Sequence, residues 1–371
     1  MRLHRWVALA FGLWFATLGL TGTLLVWHGA LDRALNPGWF APRPHCVEPG
    51  RGAGDQPVAR ALAVHAAQPG ATSATQVIAP EMPGAAYTVW SGAGDARVQH
   101  FIDARCGQYL GSRQWGAAPT DRRHLVPALY EFHRSLLLGE VGHVLVGVGG
   151  LVLLLLAVTG AVSAWPKNSS LHSWRRTLTI KRGANVRRRT YDLHRATGLW
   201  MLPFLLLMAS TGTYLCFPKQ GRALVAAVLP TLPATMAAPR IGSQPSAVSP
   251  DAMIIAAERY FPQAAWSRIV LPTQKAPWVD LRLLQPEELR KDTGDTRLRL
   301  ASDGAVVDAR DPLHAPVGDV LLSWLFPLHS GEALGVAGRT AWTIFGLSPL
   351  LLIVTGGWLW WKRRAAAFNC G

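Results

Sequence analysis

Residues 132–165 read FHRSLLLGEVGHVLVGVGGLVLLLLAVTGAVSAW, a long apolar segment that begins beside a histidine and ends with a Thr-Gly pair and a tryptophan. Residues 328–361 read LHSGEALGVAGRTAWTIFGLSPLLLIVTGGWLWW and repeat the first segment at a constant shift of 196 residues. Internal repeats of this kind decide the architecture of a chain. Without any gap, the shift places His133 on His329, Gly139 on Gly335, Gly142 on Gly338, Thr159-Gly160 on Thr355-Gly356, and Trp165 on Trp361.

The N-terminal segment has a repeat of its own. Residues 3–25 read LHRWVALAFGLWFATLGLTGTLL and align with residues 193–215, LHRATGLWMLPFLLLMASTGTYL, at a shift of 190. His4 thereby meets His194, and Thr21-Gly22 meets Thr211-Gly212. We interpret the chain as a tandem duplication, in which each half contains an LHR helix, a polar domain and a second helix that begins near a histidine. Repeats that enclose a site near their interface are common in membrane proteins.

Composition indicates a membrane protein, because 50% of the 371 residues are hydrophobic and only 16% are charged. A spanning helix needs about 20 mostly apolar residues, and residues 6–27, 141–165, 199–217 and 340–361 meet this condition. The first segment is longer than the apolar core of a signal peptide, which is about 7–15 residues, so we predict a transmembrane helix there rather than a cleaved signal. We predict transmembrane helices within 1–30, 131–166, 191–217 and 324–364, outer domains at 31–130 and 218–323, a basic loop at 167–190 and a tail at 365–371.

Positive charge is concentrated at the ends of the predicted spans. The formal net charge is +15, and Arg2, Arg5, residues 167–195 and residues 362–364 together contribute +13 of it. Lys and Arg in short loops stay on the cytoplasmic side. Both termini and the middle loop are therefore predicted to be cytoplasmic, with both long loops on the outer side of the membrane. Since membrane orientation explains the charge, we exclude nucleic acid as a partner.

The two long loops have the pattern of small α+β domains. In each loop, a short helical segment precedes alternating segments separated by Gly-rich turns, which predict an antiparallel sheet. Ser249 is the predicted N-cap of the second of these helices. The predicted helices are 58–67 and 249–260, and the predicted strands are 86–90, 98–102, 267–271, 278–283, 297–300 and 305–309.

Two of the four cysteines lie in the first outer loop. An oxidising compartment favours pairing of Cys46 with Cys106, but the spacing alone leaves both the disulfide and two free thiols open. Cys216 and Cys370 are predicted to be unpaired. The sequence has no CxxCH motif for covalent haem, no phosphate loop and no dinucleotide fingerprint.

Four of the twelve histidines occupy equivalent positions of the duplicated helices. A pseudo-two-fold axis would bring His4 against His194 and His133 against His329. A six-coordinate b-type haem needs two imidazole ligands, which two facing helices can supply. Ionisable side chains are costly inside membrane helices, so their presence indicates a function. We therefore predict these histidines as ligands of two haems, which would form an electron path across the bilayer.

The position of His133 and His329, the outer histidine pair, relative to the membrane raises a difficulty. From His133 to Trp165 a straight helix would extend about 48 Å, whereas the hydrocarbon core is about 30 Å thick. We therefore expect a tilt or a break at Gly139 or Gly142, or a histidine at or above the outer surface. His143 lies ten residues deeper and is a candidate substitute ligand or relay, but its repeat partner is Arg339. We predict Arg339 as a contact for a haem propionate.

These motifs resemble a known family. The LHRW opening at 3–6, the second LHR with GLWMLPF at 198–204, the Thr-Gly pairs and the WWKRR ending at 360–364 resemble the PepSY-associated transmembrane family. Its members include iron-regulated inner-membrane proteins and ferric-siderophore reductases. The resemblance implies a membrane α-helical bundle of four transmembrane helices with two periplasmic α+β PepSY-like domains. It also implies b-type haem on the span histidines and reduction of a ferric chelate outside the inner membrane.

We therefore expect an oxidoreductase, a ferric-siderophore reductase. It would take electrons from a cytoplasmic or membrane donor, a protein or a quinol, and reduce a periplasmic Fe(III)-siderophore to release Fe(II). No side chain is assigned as catalytic. Candidate contacts for the siderophore are the basic and aromatic residues near the outer membrane face: Trp115, Arg122, Arg123, Tyr130, Arg134 and Trp324.

Two other classes of function stay open. The polar domains could bind or inhibit proteases, with the spans as anchors, but an anchor has no need of paired histidines. The histidines could instead bind a metal ion during transport, but no acidic residue lies within the four apolar stretches 6–27, 141–165, 199–217 and 340–361. A bound haem would distinguish the reductase from both alternatives.

Overall fold

The computed structural model describes residues 2–41, 56–118, 120–239 and 248–368. It divides into two compact units. The helical unit comprises Met1–Trp27, Tyr130–Gly221 and Leu328–Gly371, and the sheet unit comprises His28–Leu129 and Arg222–Pro327. Both units are discontinuous in sequence, because each takes segments from the two halves of the repeat.

The described helices and strands alternate in blocks along the chain. The helices are α1 (Arg2–Leu25), α2 (His28–Leu35), α3 (Pro37–Phe40), α4 (Pro57–Ala66), α5 (Arg122–Ser135), α6 (Gly139–Ala164), α7 (Leu171–Leu178), α8 (Val186–Trp200), α9 (Leu202–Cys216), α10 (Pro218–Ala226), α11 (Pro250–Tyr260), α12 (Val317–Ser330), α13 (Gly335–Phe345) and α14 (Ser348–Phe368). The strands are β1 (Ala74–Ile78), β2 (Ala86–Ser91), β3 (Val98–Asp103), β4 (Tyr109–Gln114), β5 (Ala265–Val270), β6 (Trp278–Leu284), β7 (Thr296–Ala301) and β8 (Val306–Arg310).

Among the described residues, three helical stretches are long and apolar enough to cross a membrane: Arg2–Leu25, Gly139–Ala164 and Glu332–Ala365. A fourth crossing exists only if α8 and α9, which meet at 55°, form one span. The bend has a local cause, because Pro203 in the first turn of α9 has no N–H to continue the helical hydrogen bonds. The sequence predicted four spans, and the third of them coincides with this bent pair.

The segment that carries His133 is separated from the span that follows it. Helix α5 ends at Ser135, and Leu136 and Leu137 have φ values of 54° and 59°, which are unusual for residues with a side chain. Helix α6 then begins at Gly139. The predicted break near Gly139 is therefore present, and it removes the difficulty of a single helix of about 48 Å.

The repeated glycines allow the two helices at this break to pack closely. A Cβ atom at Gly142 would lie 1.7 Å from the carbonyl oxygen of Ser135, and one at Gly338 would lie 2.5 Å from that of Gly331. Any larger residue would push the end of the preceding helix away. The same local structure therefore occurs in both halves of the duplication.

The sheet unit contains one antiparallel sheet of eight strands, in the order β4-β3-β2-β1-β5-β6-β7-β8. The two loops meet at the centre, where Val77 of β1 pairs with Ile269 of β5. In each loop four strands follow one helix that packs on the sheet, α4 in the first loop and α11 in the second, as the duplication predicts. The sequence led us to expect two separate domains, whereas the shared sheet makes them one compact unit. Strands β1 and β4 had not been predicted.

The core of the sheet unit lies between one face of the sheet and helices α4 and α11. Val77, Ile269 and Leu281 are fully buried there. Asp251 in the first turn of α11 accepts hydrogen bonds from the backbone N–H groups of Val58 and Ala59 at 2.9 and 2.8 Å. This carboxylate therefore caps α4 and connects the two halves of the repeat.

Two of the four cysteines lie within the described residues. Cys106 is disulfide-bonded, and Cys46, its predicted partner, lies outside the described residues. Cys216 ends α9 with a free thiol, as predicted. Cys370 also lies outside the described residues.

His100 makes the sheet unit sensitive to acid. Its ring lies between the hydroxyls of Ser91 and Tyr109, at 3.0 and 3.1 Å, and 4.4 Å from the ring of His65. Burial and the neighbouring His65 lower the pKa of His100 from 6.5 to about 4. The unfolded chain therefore binds more protons than the folded chain between these pH values.

The free energy of unfolding of the sheet unit should consequently fall, by up to about 3 kcal/mol, as the pH is lowered from about 6.5 to about 4. Chemical unfolding followed by tryptophan fluorescence at several pH values measures this slope. The His100→Gln variant should lose most of the slope, and exchange of the exposed His172 for Gln should keep it. An equal slope in His100→Gln and the parent would show that other groups cause it.

Candidate functional site

The outer histidine pair is assembled from the two halves of the repeat. His133 near the end of α5 and His329 near the end of α12 face each other, with ring centroids 6.4 Å apart and ring planes at 54°. Two bonds of about 2 Å from imidazole nitrogens to one metal ion, plus a distance of about 1 Å from each nitrogen to its ring centre, give about 6 Å. The separation therefore suits one metal ion held between the two rings.

Each outer histidine is oriented by a threonine of the Thr-Gly motif. Nδ1 of His133 lies 2.9 Å from Oγ1 of Thr21, and Nδ1 of His329 lies 2.9 Å from Oγ1 of Thr211. Both hydroxyls donate their single proton to a carbonyl of their own helix, so they can only accept from the histidine. Nδ1 then carries the proton, and the lone pair of Nε2 is left for a metal.

The inner pair has the same construction. Nδ1 of His194 lies 2.9 Å from Oγ1 of Thr355. Nδ1 of His4 lies 3.3 Å from Oγ1 of Thr159 and 3.2 Å from the carbonyl of Leu156. Thr159 and Thr355 also donate to backbone carbonyls of their own helices. All four histidines therefore share one tautomer, with Nε2 available.

The glycine that follows each threonine gives the imidazole its space. A Cβ atom at this position would lie 3.0 to 3.3 Å from Cε1 of the histidine held by the adjacent threonine. That approach is closer than ordinary van der Waals contact, so a side chain would displace the ring. The four contacts are Gly160 with His4, Gly22 with His133, Gly356 with His194 and Gly212 with His329.

His4 and His194 line a cavity of about 290 Å³ within the helical unit. A Cβ atom at Gly357 would meet nothing within 4 Å among the described residues, so this glycine leaves open space in the cavity wall. Nε of Arg5, which also lines the cavity, is buried and has no hydrogen-bond partner in the described part of the chain. The other basic side chains in the lining are Arg2, Arg195 and Arg363.

These features fit a haem. The cavity supplies two imidazoles, an apolar wall with a glycine gap, and a buried guanidinium donor suited to a propionate carboxylate. Within the described residues, no three His, Cys, Asp or Glu side chains are grouped to hold a metal ion. A haem iron needs only two protein ligands, so the paired histidines meet its requirement.

Helix α1 connects the two pairs. It carries His4 at one end and, 17 residues later, Thr21, which contacts His133. Seventeen residues of helix extend about 26 Å, close to the hydrocarbon thickness of about 30 Å. In the helical unit the two histidine pairs therefore lie near opposite ends of the membrane-spanning helix α1. His133 lies beside Thr21, within the length of this helix.

Filling the gap at Gly357 tests the inner cavity. If His4 and His194 hold a haem, exchange of Gly357 for leucine should remove most of it, because the added side chain would occupy space that the cofactor requires. The matched control is Val354→Leu, on the same helix at a position that is 59% exposed. Haem content per chain, measured after purification, checks the expectation, and an unchanged content in Gly357→Leu would contradict it.

The remaining predicted residues have other surroundings. Nδ1 of His143 lies 3.3 Å from the carbonyl of Arg134. Arg339 lies 3.6 Å from the carboxylate of Glu332, and within the described residues its buried Nε has no hydrogen-bond partner. Arg339 therefore keeps an unused N–H donor, and its contact with a haem propionate stays a prediction.

Three of the candidate siderophore contacts have defined surroundings. In the sheet unit, Arg123 lies over the ring of Trp39 at 5.1 Å, and Trp115 packs on Trp90 at 5.1 Å. Trp324 lines a separate cavity of about 280 Å³ together with Arg290 and Glu287. A shared role of the six candidate residues in siderophore binding stays a prediction.

The fold and site define a helical membrane protein with a duplicated histidine-bearing bundle and a separate antiparallel sheet unit. The chain belongs to the family described as the PepSY-associated TM region, whose model matches residues 1–363. This confirms the resemblance seen in the sequence. The chain is also 30% identical over 265 residues to the uncharacterized protein PA4219 of Pseudomonas aeruginosa, and the match spans 64% of this chain and 64% of that protein's length.

Sequence reasoning found the histidines but missed the residues that hold them. The signal was present, because the Thr-Gly pairs repeat at the same shifts as the histidines. What the sequence did not show is that each Thr-Gly pair contacts a histidine of a different helix.

Proposed function

We propose that this protein is a b-type haem protein of the bacterial inner membrane that moves electrons across the bilayer and reduces a periplasmic Fe(III)-siderophore, releasing Fe(II). The observation that carries the proposal is the facing pair His133–His329, 6.4 Å apart at their ring centroids, built by the same repeat as His4 and His194. A haem bound at each pair would accept and release one electron at a time.

The residues of the chain have defined tasks in this proposal. The four histidines would hold iron through Nε2, and the threonines keep the proton on Nδ1, which makes the imidazoles better ligands. The bundle helices partly bury all four histidines. Arg5 at the inner pair and Arg339 at the outer pair would neutralise propionates.

Reduction accounts for the release of iron without acid–base catalysis. Fe(III) is held tightly by hard oxygen donors, and addition of one electron to give Fe(II) weakens that hold. The electron would come from a cytoplasmic protein or a membrane quinol, and the lipid bilayer and the ferric siderophore are the other proposed partners.

Anaerobic rapid mixing tests the proposal. The protein is reduced with a stoichiometric amount of dithionite and mixed with a ferric siderophore in the presence of a colorimetric Fe(II) chelator. We expect oxidation of the haem absorption band together with an equal amount of trapped Fe(II). The gallium(III) complex of the same siderophore, which cannot be reduced under these conditions, is the control and should leave the band unchanged. Haem that stays reduced with every ferric complex tested would contradict the proposed activity.

A further inference from the structure

One face of the sheet unit carries a row of arginines across four neighbouring strands. Arg268 of β5 is directly opposite Arg282 of β6, which is opposite Arg297 of β7, which is opposite Arg310 of β8. The buried residues of these strands alternate with the arginines. The row therefore lies on the face opposite to the apolar core and to helix α11.

Such a row of like charges destabilises the folded sheet. Like charges directly opposite each other in a sheet are destabilising, and here the like charges occur three times in succession. Burial is the main reason that the pKa of Arg282 falls to about 9. The guanidiniums of Arg297, Arg290 and Arg268 lower it further, and the carboxylate of Asp295 raises it. At neutral pH the group is still cationic, and positive neighbours outnumber the single carboxylate among these groups.

The neighbouring row of the same face is different. There Asp280 of β6 is opposite Arg299 of β7, and Nε of Arg299 lies 2.6 Å from the Asp280 carboxylate. Asp308 of β8 is opposite Arg299 on the other side. That row is compensated within the sheet, so the excess of positive charge belongs to the arginine row and not to the face as a whole.

Three arginines of the row have contacts that compensate their charge only in part. The carboxylates of Asp308 and Asp319 lie near Arg310 and offset part of its charge. The guanidinium of Arg282 donates to the hydroxyl of Thr293 at 3.2 Å, and that of Arg310 donates to the carbonyl of Pro233 at 2.8 Å. The Arg297 side chain is 49% exposed, and the carboxylate of Asp295, 3.9 Å away, is shared with Arg290. Neutral acceptors therefore take some of the hydrogen bonds of these arginines, and the nearby carboxylates offset only part of their positive charge.

We propose that the row Arg268–Arg282–Arg297–Arg310 is a binding surface for an anionic ferric chelate whose metal is wrapped by catecholate or carboxylate oxygens. This inference rests on the proposed function for the presence of a ferric chelate. Arginine is the side chain best suited to such a ligand, because its planar fork binds oxygen anions through two parallel hydrogen bonds. Three doubly charged catecholates outweigh Fe(III), whereas three singly charged hydroxamates only balance it, so the row selects the first class.

The test measures binding without electron transfer. Gallium(III) complexes of a hexadentate tris-catecholate and of a hexadentate trihydroxamate are titrated into the full-length detergent-purified protein, with calorimetry as the readout. The parent should bind the tris-catecholate, with lower affinity at higher salt, and should bind the neutral trihydroxamate at least about tenfold more weakly. The double variant R282Q/R297Q should lose at least about tenfold in affinity for the tris-catecholate.

Controls separate binding from folding. Arg259→Gln removes the same charge from the exposed side of α11 and should bind as the parent does. R282Q/R297Q should keep or raise the thermal midpoint of the sheet unit, because it removes a repulsive cross-strand pair. Equal affinity of the parent and R282Q/R297Q, or equal binding of both gallium complexes by the parent, would overturn the inference.

Anionic lipid is the competing source of negative charge. If R282Q/R297Q loses affinity for phosphatidylglycerol vesicles but keeps its affinity for the tris-catecholate, the row belongs to lipid headgroups and the inference fails. Because gallium binding requires neither haem nor an electron donor, a chain without haem would contradict the proposed function and leave this result standing. A haem-containing chain whose double variant binds normally would contradict only the inference.

Discussion

The His329→Ala variant should purify with about one haem per chain, whereas the parent should carry about two. The reason is geometric, because His133 and His329 face each other at 6.4 Å and neither has a second histidine partner in the repeat. Loss of one ligand leaves the outer iron with a single protein nitrogen, and the inner pair stays intact at the other end of α1. His4→Ala should give the reciprocal result, with only the outer haem retained.

His143 provides the decisive control for this experiment. It lies ten residues after His133, and the sequence made it a candidate substitute ligand. Its Nδ1 contacts the carbonyl of Arg134, and its repeat partner is an arginine. We expect His143→Ala to retain both haems with an unchanged reduced spectrum. Loss of the outer haem in His143→Ala together with its retention in His329→Ala would assign the ligand pair differently.

Exchange of Thr21 for valine should weaken retention of the outer haem by about 10- to 100-fold, as expected for loss of a group that orients a metal ligand. Valine has nearly the shape of threonine but cannot accept the proton of His133 Nδ1. The ring then loses the contact that fixes its tautomer and orientation. Transfer of haem to apomyoglobin measures the retention, and a potentiometric titration of the outer haem should show a shifted midpoint.

Thr17→Val is the matched control. Thr17 lies one turn earlier on α1, and its exposed hydroxyl donates only to its own helix at the carbonyl of Leu13. This variant should transfer haem at the rate of the parent. Thr211→Val, the repeat equivalent of Thr21→Val, should reproduce the defect from the other ligand. Equal retention in Thr21→Val and Thr17→Val would mean that the threonine contact does not support the ligand.

Much of the helical unit was predictable because the chain contains an internal duplication, so that each half can be aligned with the other. The two constant shifts identify His4, His133, His194 and His329 from the sequence alone, since equivalent residues of a duplication meet across its axis. The length of the segment from His133 to Trp165 also required a break, and the positive φ values at Leu136 and Leu137 supply it. The sequence pointed to Gly139 or Gly142 but left a tilt open as well, because leucine gives no sign of the positive φ values found just before Gly139.

The arrangements that escaped prediction depend on contacts between distant segments. Pairing of β1 with β5 across almost 200 residues makes one sheet of two loops, and each loop shows only its own alternation of residues. The contact between Thr21 and His133 spans 112 positions and depends on how the helices pack. The bend between α8 and α9 had a local signal in Pro203, which the apolar composition of the segment concealed.

The most direct test of the account is the haem content of the full-length protein, purified in detergent from cells grown with ample haem. A pyridine haemochrome assay against protein concentration should give b-type haem at about two per chain, and the dithionite-reduced spectrum should have the sharp bands of low-spin iron with two histidine ligands. A folded, colourless protein would contradict the account, and anchored protein-binding domains or metal transport would then be the functions to test.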